Sequence, residues 1–221
     1  MTPEEKIKKE IVKKISKLSG KYSPYRVFYD WVHIMANSIQ NPLYLLHNDV
    51  WQERESDYIE LMKKYNTDEQ KELIEMFTLL IEAMCCKTHD YLGEIYMESG
   101  CGNKNTGQFF TPYHISKLTA NANLPKKLPE KLKICEPSTG AGGMVLATAD
   151  ILAERGIDYQ RRMKVVAQDL DWLGVYMSYV QFSLIGIDAV VLQGDTLAET
   201  YHKSYDEKRV YRTAKNMGVL I

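Results

Sequence analysis

Between residues 133 and 192 short apolar runs alternate with longer helical segments, and no other feature of the chain restricts its fold as much. The runs at 133–135, 164–167 and 189–192 read as buried strands, and the stretches at about 142–154 and 172–185 as helices. Strand, helix, strand, helix, strand calls for right-handed crossovers and a parallel sheet. The first of these turns reads CEPSTGAGG, so a glycine-rich loop sits where a strand ends and a helix begins. Its amides and the helix N-terminus form a small electropositive cup.

The loop excludes two phosphate binders. No Gly-Lys-Ser/Thr follows it, so it is not a P-loop, and Val145 stands where a dinucleotide fingerprint needs its third glycine after Gly140 and Gly142. Glu136, just before the loop, repels a pyrophosphate and suits an ammonium group. The second strand ends in AQDLD, where Asp169 can accept from both hydroxyls of a ribose, with Asp171 read as a helix cap. The third ends in QGDTL, whose Asp195 can accept from a purine's exocyclic amine. Acceptors for ammonium, ribose and adenine along one sheet edge describe S-adenosylmethionine.

The first hundred residues carry helical patterning. Thr2-Pro3 and Ser23-Pro24 open two helices, the first ended by Gly20 and the second running to about Ile39. A third helix is expected over 51–65. Thr67 with Gln70 reads as a capping box before a long helix reaching about Met97. A glycine- and polar-rich loop from Ser99 precedes a helix after Pro112, and a proline-lysine connector spans 124–133. The net charge of -1 over 221 residues argues against a generally basic nucleic-acid binder, although the first helix and the lysines at 126, 127, 131 and 133 could form local patches. Four cysteines without CxxC spacing and five scattered histidines support neither a disulfide framework nor a metal site. The charged N-terminal stretch has no signal or membrane character, which places the protein in the cytoplasm with no membrane partner.

GQFFTP, CEPSTGAGG, AQDLD and GDTL in this order resemble the adenine-specific (N-6) DNA methyltransferases, and most closely the modification subunits of type I restriction-modification systems. The resemblance implies an α/β chain: a helical N-terminal domain at 1–98, then a Rossmann-like, S-adenosylmethionine-dependent methyltransferase domain at 99–221, truncated after the third strand. It implies that Phe109, Phe110, Thr111 and Pro112 flank the methionine end of the cofactor, with Gln108 beside them. It also implies that Glu136 takes the ammonium, that Gly140 and Gly142 let the backbone approach, and that Asp169 takes the ribose and Asp195 the adenine. Pro137, Ser138, Thr139, Gly143, Leu170, Thr196 and Leu197 complete the expected cofactor site. The implied partners are DNA, through a specificity subunit or another partner chain, and a second chain in a dimer or hetero-complex.

One departure stands out. No Asn-Pro-Pro-aromatic tetrapeptide, the adenine clamp of that family, follows Asp195, so no catalytic residue is assigned. Asn41-Pro42-Leu43-Tyr44 approximates it but reads as the end of the second helix. Three readings follow: a DNA adenine methyltransferase, truncated or split between chains; a cofactor-binding module without activity of its own; and a methyltransferase for a non-DNA substrate. A three-stranded sheet would leave the first strand as an open edge, and the apolar end at 218–221 is expected to pair alongside it.

Overall fold

Helix starts in the first part of the chain follow from side chains that satisfy orphan amides. The structure, a computed structural model, describes residues 2–101, 110–198 and 206–219. By packing, the chain forms two units: Met1–Lys87 with Tyr91–Phe110, and Thr88–Asp90 with Thr111–Ile221.

In the first unit, helix α1 (Pro3–Leu18) opens with a capping box between Thr2 and Glu5, and α2 (Pro24–Gln40) opens on Ser23, whose hydroxyl accepts from the Arg26 N–H at 3.2 Å. Helix α3 (Asp49–Lys63) begins two residues before the expected Trp51 because Asn48 caps it. In α4 (Thr67–Cys86) the cap is Asn66 and its partner Glu69, not Thr67 and Gln70: an amide acceptor one residue earlier captures the same free amides. The expected continuous helix to Met97 is broken at Lys87, which is extended, and α5 (Tyr91–Glu98) follows as a separate helix. Ile11 and Ile15 of α1, Phe28 and Trp31 of α2, and Met76 and Leu80 of α4 are almost fully buried. Ile81 of α4 is exposed, and Met76 and Ala83 lie on its buried stripe.

The second unit contains α6 (Tyr113–Asn123), β1 (Leu132–Glu136), α7 (Gly143–Glu154), the short α8 (Tyr159–Arg162), β2 (Met163–Asp169), α9 (Trp172–Leu184), β3 (Asp188–Gln193) and β4 (Val210–Arg212). The sheet order is β1-β2-β3-β4. The first three strands are parallel, as the alternation requires, and β4 runs antiparallel to β3. Every residue of α9 from Leu173 to Phe182 is buried, as expected of a helix enclosed on all sides.

Two expectations change here. A fourth strand follows the three anticipated, anchored where Tyr211 packs on Tyr179 with ring centroids 4.9 Å apart. The expected pairing of residues 218–221 with β1 is not what the described part of that segment does. Gly218 turns with φ 72° and the Val219 N–H donates to the Ala214 carbonyl at 2.9 Å, closing a local turn; Leu220 and Ile221 lie outside the described residues. Local closure satisfies these backbone groups without the entropy of a long return. Among the described residues β1 has a strand neighbour on one side only.

Candidate functional site

The C-terminal tips of three parallel strands meet the glycine loop in the second unit. Glu136 ends β1 level with Ala167 of β2, so Asp169, two residues on, reaches further along the same edge. The loop curls over this step. Its Thr139 N–H donates to the Gln168 carbonyl at 2.9 Å and the Gly142 N–H to the Thr139 carbonyl at 2.8 Å. Gly140 and Gly142 both have positive φ, 52° and 92°.

One link across the strands runs from the Gly140 N–H to Asp169 Oδ2, 2.7 Å; Asp169 Oδ1 accepts from the Asp171 N–H at 2.9 Å. Both bonds need room beside the carboxylate. A Cβ on Gly174, one turn into α9, would lie 2.7 Å from Asp169 Cγ. On the far side, the Thr196 hydroxyl donates to the Pro137 carbonyl at 2.6 Å, joining the tip of β3 to the loop after β1. The Gly194 N–H donates to the Asp169 carbonyl at 2.8 Å.

Two carboxyl groups along this edge are held above their ordinary range. Burial raises the Glu136 carboxyl above its ordinary range, the Ser138 N–H opposes that rise, and the neighbouring charge of Asp169 adds to it. Burial likewise raises Asp169, opposed by its hydrogen bonds from the Asp171 and Gly140 amides. Two acids that each resist ionisation gain from a positively charged group placed between them. Beneath the loop, Thr139 Oγ1 and Gln168 Nε2 are buried with no hydrogen-bond partner among the described residues.

Most of the expected residues converge here. Glu136, Pro137, Ser138, Thr139, Gly140, Gly142, Asp169, Leu170, Asp195, Thr196 and Leu197 lie at the tips of β1 to β3 or in the turns that follow, and Gly143 opens α7. Asp195 also shapes its own turn, since its Oδ1 accepts from the Leu197 and Ala198 amides at 2.9 and 3.3 Å. Leu170 and Leu197 are exposed beside these acids. Asp171 caps α9, as read from sequence, by accepting from the Leu173 N–H. Thr111 and Pro112 lead into α6, whereas Phe110 belongs to the helical unit, its ring edge-on to Tyr96 at 5.1 Å. Gln108 and Phe109 lie outside the described residues.

The family whose model matches residues 87–217, more than half of the chain, is described as N-6 DNA methylase. The chain belongs to that family. The family's cofactor is S-adenosylmethionine. The chain is also similar to two solved structures. One is assigned to the class I S-adenosylmethionine-dependent methyltransferases, from Listeria monocytogenes (14% identity, TM-score 0.48, 89% of this chain and 56% of that one). The other is the methyltransferase subunit of a type I restriction-modification system from Streptococcus thermophilus (15% identity, TM-score 0.47, 89% and 41%). The chain thus spans 56% and 41% of these two structures. No curated protein matches it.

Sequence reasoning missed Asp90. The methylase match starts just before Thr88–Asp90, the short stretch that joins the second unit. Gln181 of α9 donates one amide proton to Asp90 Oδ1 at 2.9 Å and another to the Ala141 carbonyl at 2.7 Å, so one buried amide fastens the glycine loop. Gly143 leaves the space: a Cβ there would lie 3.2 Å from Asp90 Oδ2. Only the acid itself, inside a helical pattern, could have signalled this. Gln181→Leu removes both donors while leaving Asp90 and the Ala141 carbonyl buried, and is expected to cost about 3 kcal/mol in urea unfolding. A change below about 0.5 kcal/mol, within the range of ordinary surface substitutions, would show that the bridge does not hold the loop.

Proposed function

We propose that this methylase binds S-adenosylmethionine on the edge formed by Glu136, Gly140, Asp169 and Asp195, and contributes that site to methylation of the N6 amine of adenine in DNA. The observation that carries the reading is the Gly140 amide held 2.7 Å from the Asp169 carboxylate across two neighbouring strand tips. When bound, the cofactor supplies a methyl group on a positively charged sulfur. Glu136 would hold its ammonium, Asp169 its ribose hydroxyls and Asp195 its adenine amine, while Gly140 and Gly142 keep side chains out of the way. The two burial-raised acids fit a ligand that carries positive charge.

The adenine amine is a weak nucleophile, because its lone pair is delocalised, and needs paired acceptors to align it. Residues 1–221 contain no Asn-Pro-Pro-aromatic tetrapeptide. Asn41–Leu43 is a 3-10 turn closing α2, and Asn41 Nδ2 donates to Glu55 at 2.8 Å, so this near-match has a structural use of its own. A partner chain supplying the clamp and the DNA contacts, as in a restriction-modification modification complex of the cytoplasm, fits this division. Among the described residues no helix is long and apolar enough to cross a membrane.

Labelled S-adenosylmethionine and unmethylated genomic DNA test the reading. The chain alone is expected to bind cofactor in calorimetry and to leave adenine unlabelled. Absence of cofactor binding at about 1 mM, weaker than the micromolar range usual for specific ligands, would remove the proposal. Labelling by the chain alone, abolished by Asn41→Ala, would transfer the clamp to the Asn41 turn.

A further inference from the structure

A cavity of about 390 Å3 lies within the helical unit, where α2 ends and α3 begins. Its wall is aromatic: Tyr44, His47, Trp51 and Tyr58. His47 and Trp51 are stacked, 3.8 Å between ring centres and 6° between planes, which fixes a flat surface. Two acceptors, Asn41 Oδ1 and the Glu55 carboxylate, belong to residues of its lining. Asn41 is only 5% exposed; its Nδ2 is bound to Glu55, while its Oδ1 has no hydrogen-bond partner among the described residues. A buried amide oxygen without a donor is costly, and this one lies beside a carboxylate at the edge of an aromatic wall.

Aromatic faces with two neighbouring acceptors suit either a nucleobase or a planar cation, and charge decides between them. Among the described residues that line the cavity Glu55 is the one acid and there is no lysine or arginine, so its wall is negative; the other acids of α3, Asp49, Glu53, Asp57 and Glu60, lie on the helix's opposite face. A phosphate backbone is repelled by such a wall, and a guanidinium is attracted. Arg54 shows that the same wall accommodates one: its Nη1 donates to the Tyr44 hydroxyl at 2.8 Å with the guanidinium 5.8 Å from the ring centre. Beside the cavity, Leu45 and Leu46 are 99% and 79% exposed, an apolar flank of the kind that protein contacts cover.

We propose that this cavity receives an arginine side chain from a partner protein, the guanidinium lying against the Trp51 wall and donating to Glu55 and Asn41 Oδ1 while flanking apolar residues cover Leu45 and Leu46. The proposal uses none of the cofactor-edge residues and does not depend on the methylation reading.

The probe is acetyl-Leu-Arg-Leu-amide, titrated into the full chain and followed by the indole N–H resonance of Trp51, identified with Trp51→Phe. Saturable binding is expected. Replacing the arginine by citrulline, which keeps the shape and removes the charge, should weaken it by about tenfold, and Glu55→Gln by a similar factor with unchanged melting. The citrulline comparison uses wild-type protein and so does not depend on a variant's folding. Equal affinity for the two peptides, no saturation by the arginine peptide at about 10 mM, beyond the weakest specific range, or saturable shifts of the same resonance by a short single-stranded oligonucleotide in place of the peptide would each overturn the assignment.

Discussion

Gly142→Ala is expected to lower the melting temperature by roughly 4 to 20 °C. Two penalties coincide at this position. With φ 92° an alanine is strained by about 1 to 2 kcal/mol. A Cβ would also stand 2.6 Å from the Phe182 ring and 3.2 Å from Ser178 Cβ, and Phe182 is fully buried. Overpacking of this kind adds about 1 to 3 kcal/mol, and for a chain of this size each kcal/mol moves the midpoint by about 2 to 4 °C. Thermal denaturation followed by circular dichroism measures it. Gly156→Ala is the control: its φ of 70° carries the same backbone strain, but nothing lies within 4 Å of the added carbon. Equal losses at the two positions would mean that the Phe182 contact contributes nothing.

Asp169→Ala is expected to weaken S-adenosylmethionine binding by about a hundredfold, because it removes the ribose acceptor and the group that positions the Gly140 amide. The informative companion is Gly174→Ala. Inside an exposed helix that change normally stabilises by about 1 kcal/mol. Here the new carbon would press on the Asp169 carboxylate, so cofactor affinity should fall although no residue assigned to the ligand has changed. In an Asp169→Ala background the same substitution should become neutral or stabilising, and that reversal distinguishes a local clash from general damage. Acidity gives a further check. The folded protein holds Glu136 and Asp169 above the ordinary carboxylate range, so both lose their charge at a higher pH than free acids would. Cofactor affinity should therefore decline on acidification before ordinary carboxylates titrate, while the unliganded fold is relieved of their burial over the same window. Calorimetry across pH on wild type and Glu136→Gln measures it; identical profiles would remove Glu136 from the site.

What the sequence made legible was what local chemistry decides. Three parallel strands and their crossovers follow from the alternation of pattern, and Thr2, Ser23 and Asp171 act as caps because their side chains satisfy amides two or three residues away. The glycine loop and the acids lie at the ends of β1 to β3, where the alternation of strand and helix puts them. The rest depends on distant partners. Asp90 is bound by a glutamine 91 positions later, and nothing in the local run KTHDYLG reveals that. Strand β4 has three residues, too few for a periodic signal, and is fixed by Tyr211 against α9 and by Thr213, whose hydroxyl donates to the Ile187 carbonyl at 2.7 Å. The apolar end at 218–221 was the more conspicuous strand candidate, yet its described residues close a turn on Ala214.

The interleaving of the two units limits how this protein can be recombined. The chain enters the methylase unit at Thr88–Asp90, leaves it for Tyr91–Phe110, and returns at Thr111. A hybrid made by joining a foreign front half at residue 98 would inherit its Asp90 equivalent from the donor and its Gln181 from the recipient. Exchange of helical units between relatives must therefore move two separate stretches and spare the three residues between them, a graft at three junctions where a terminal module would need one.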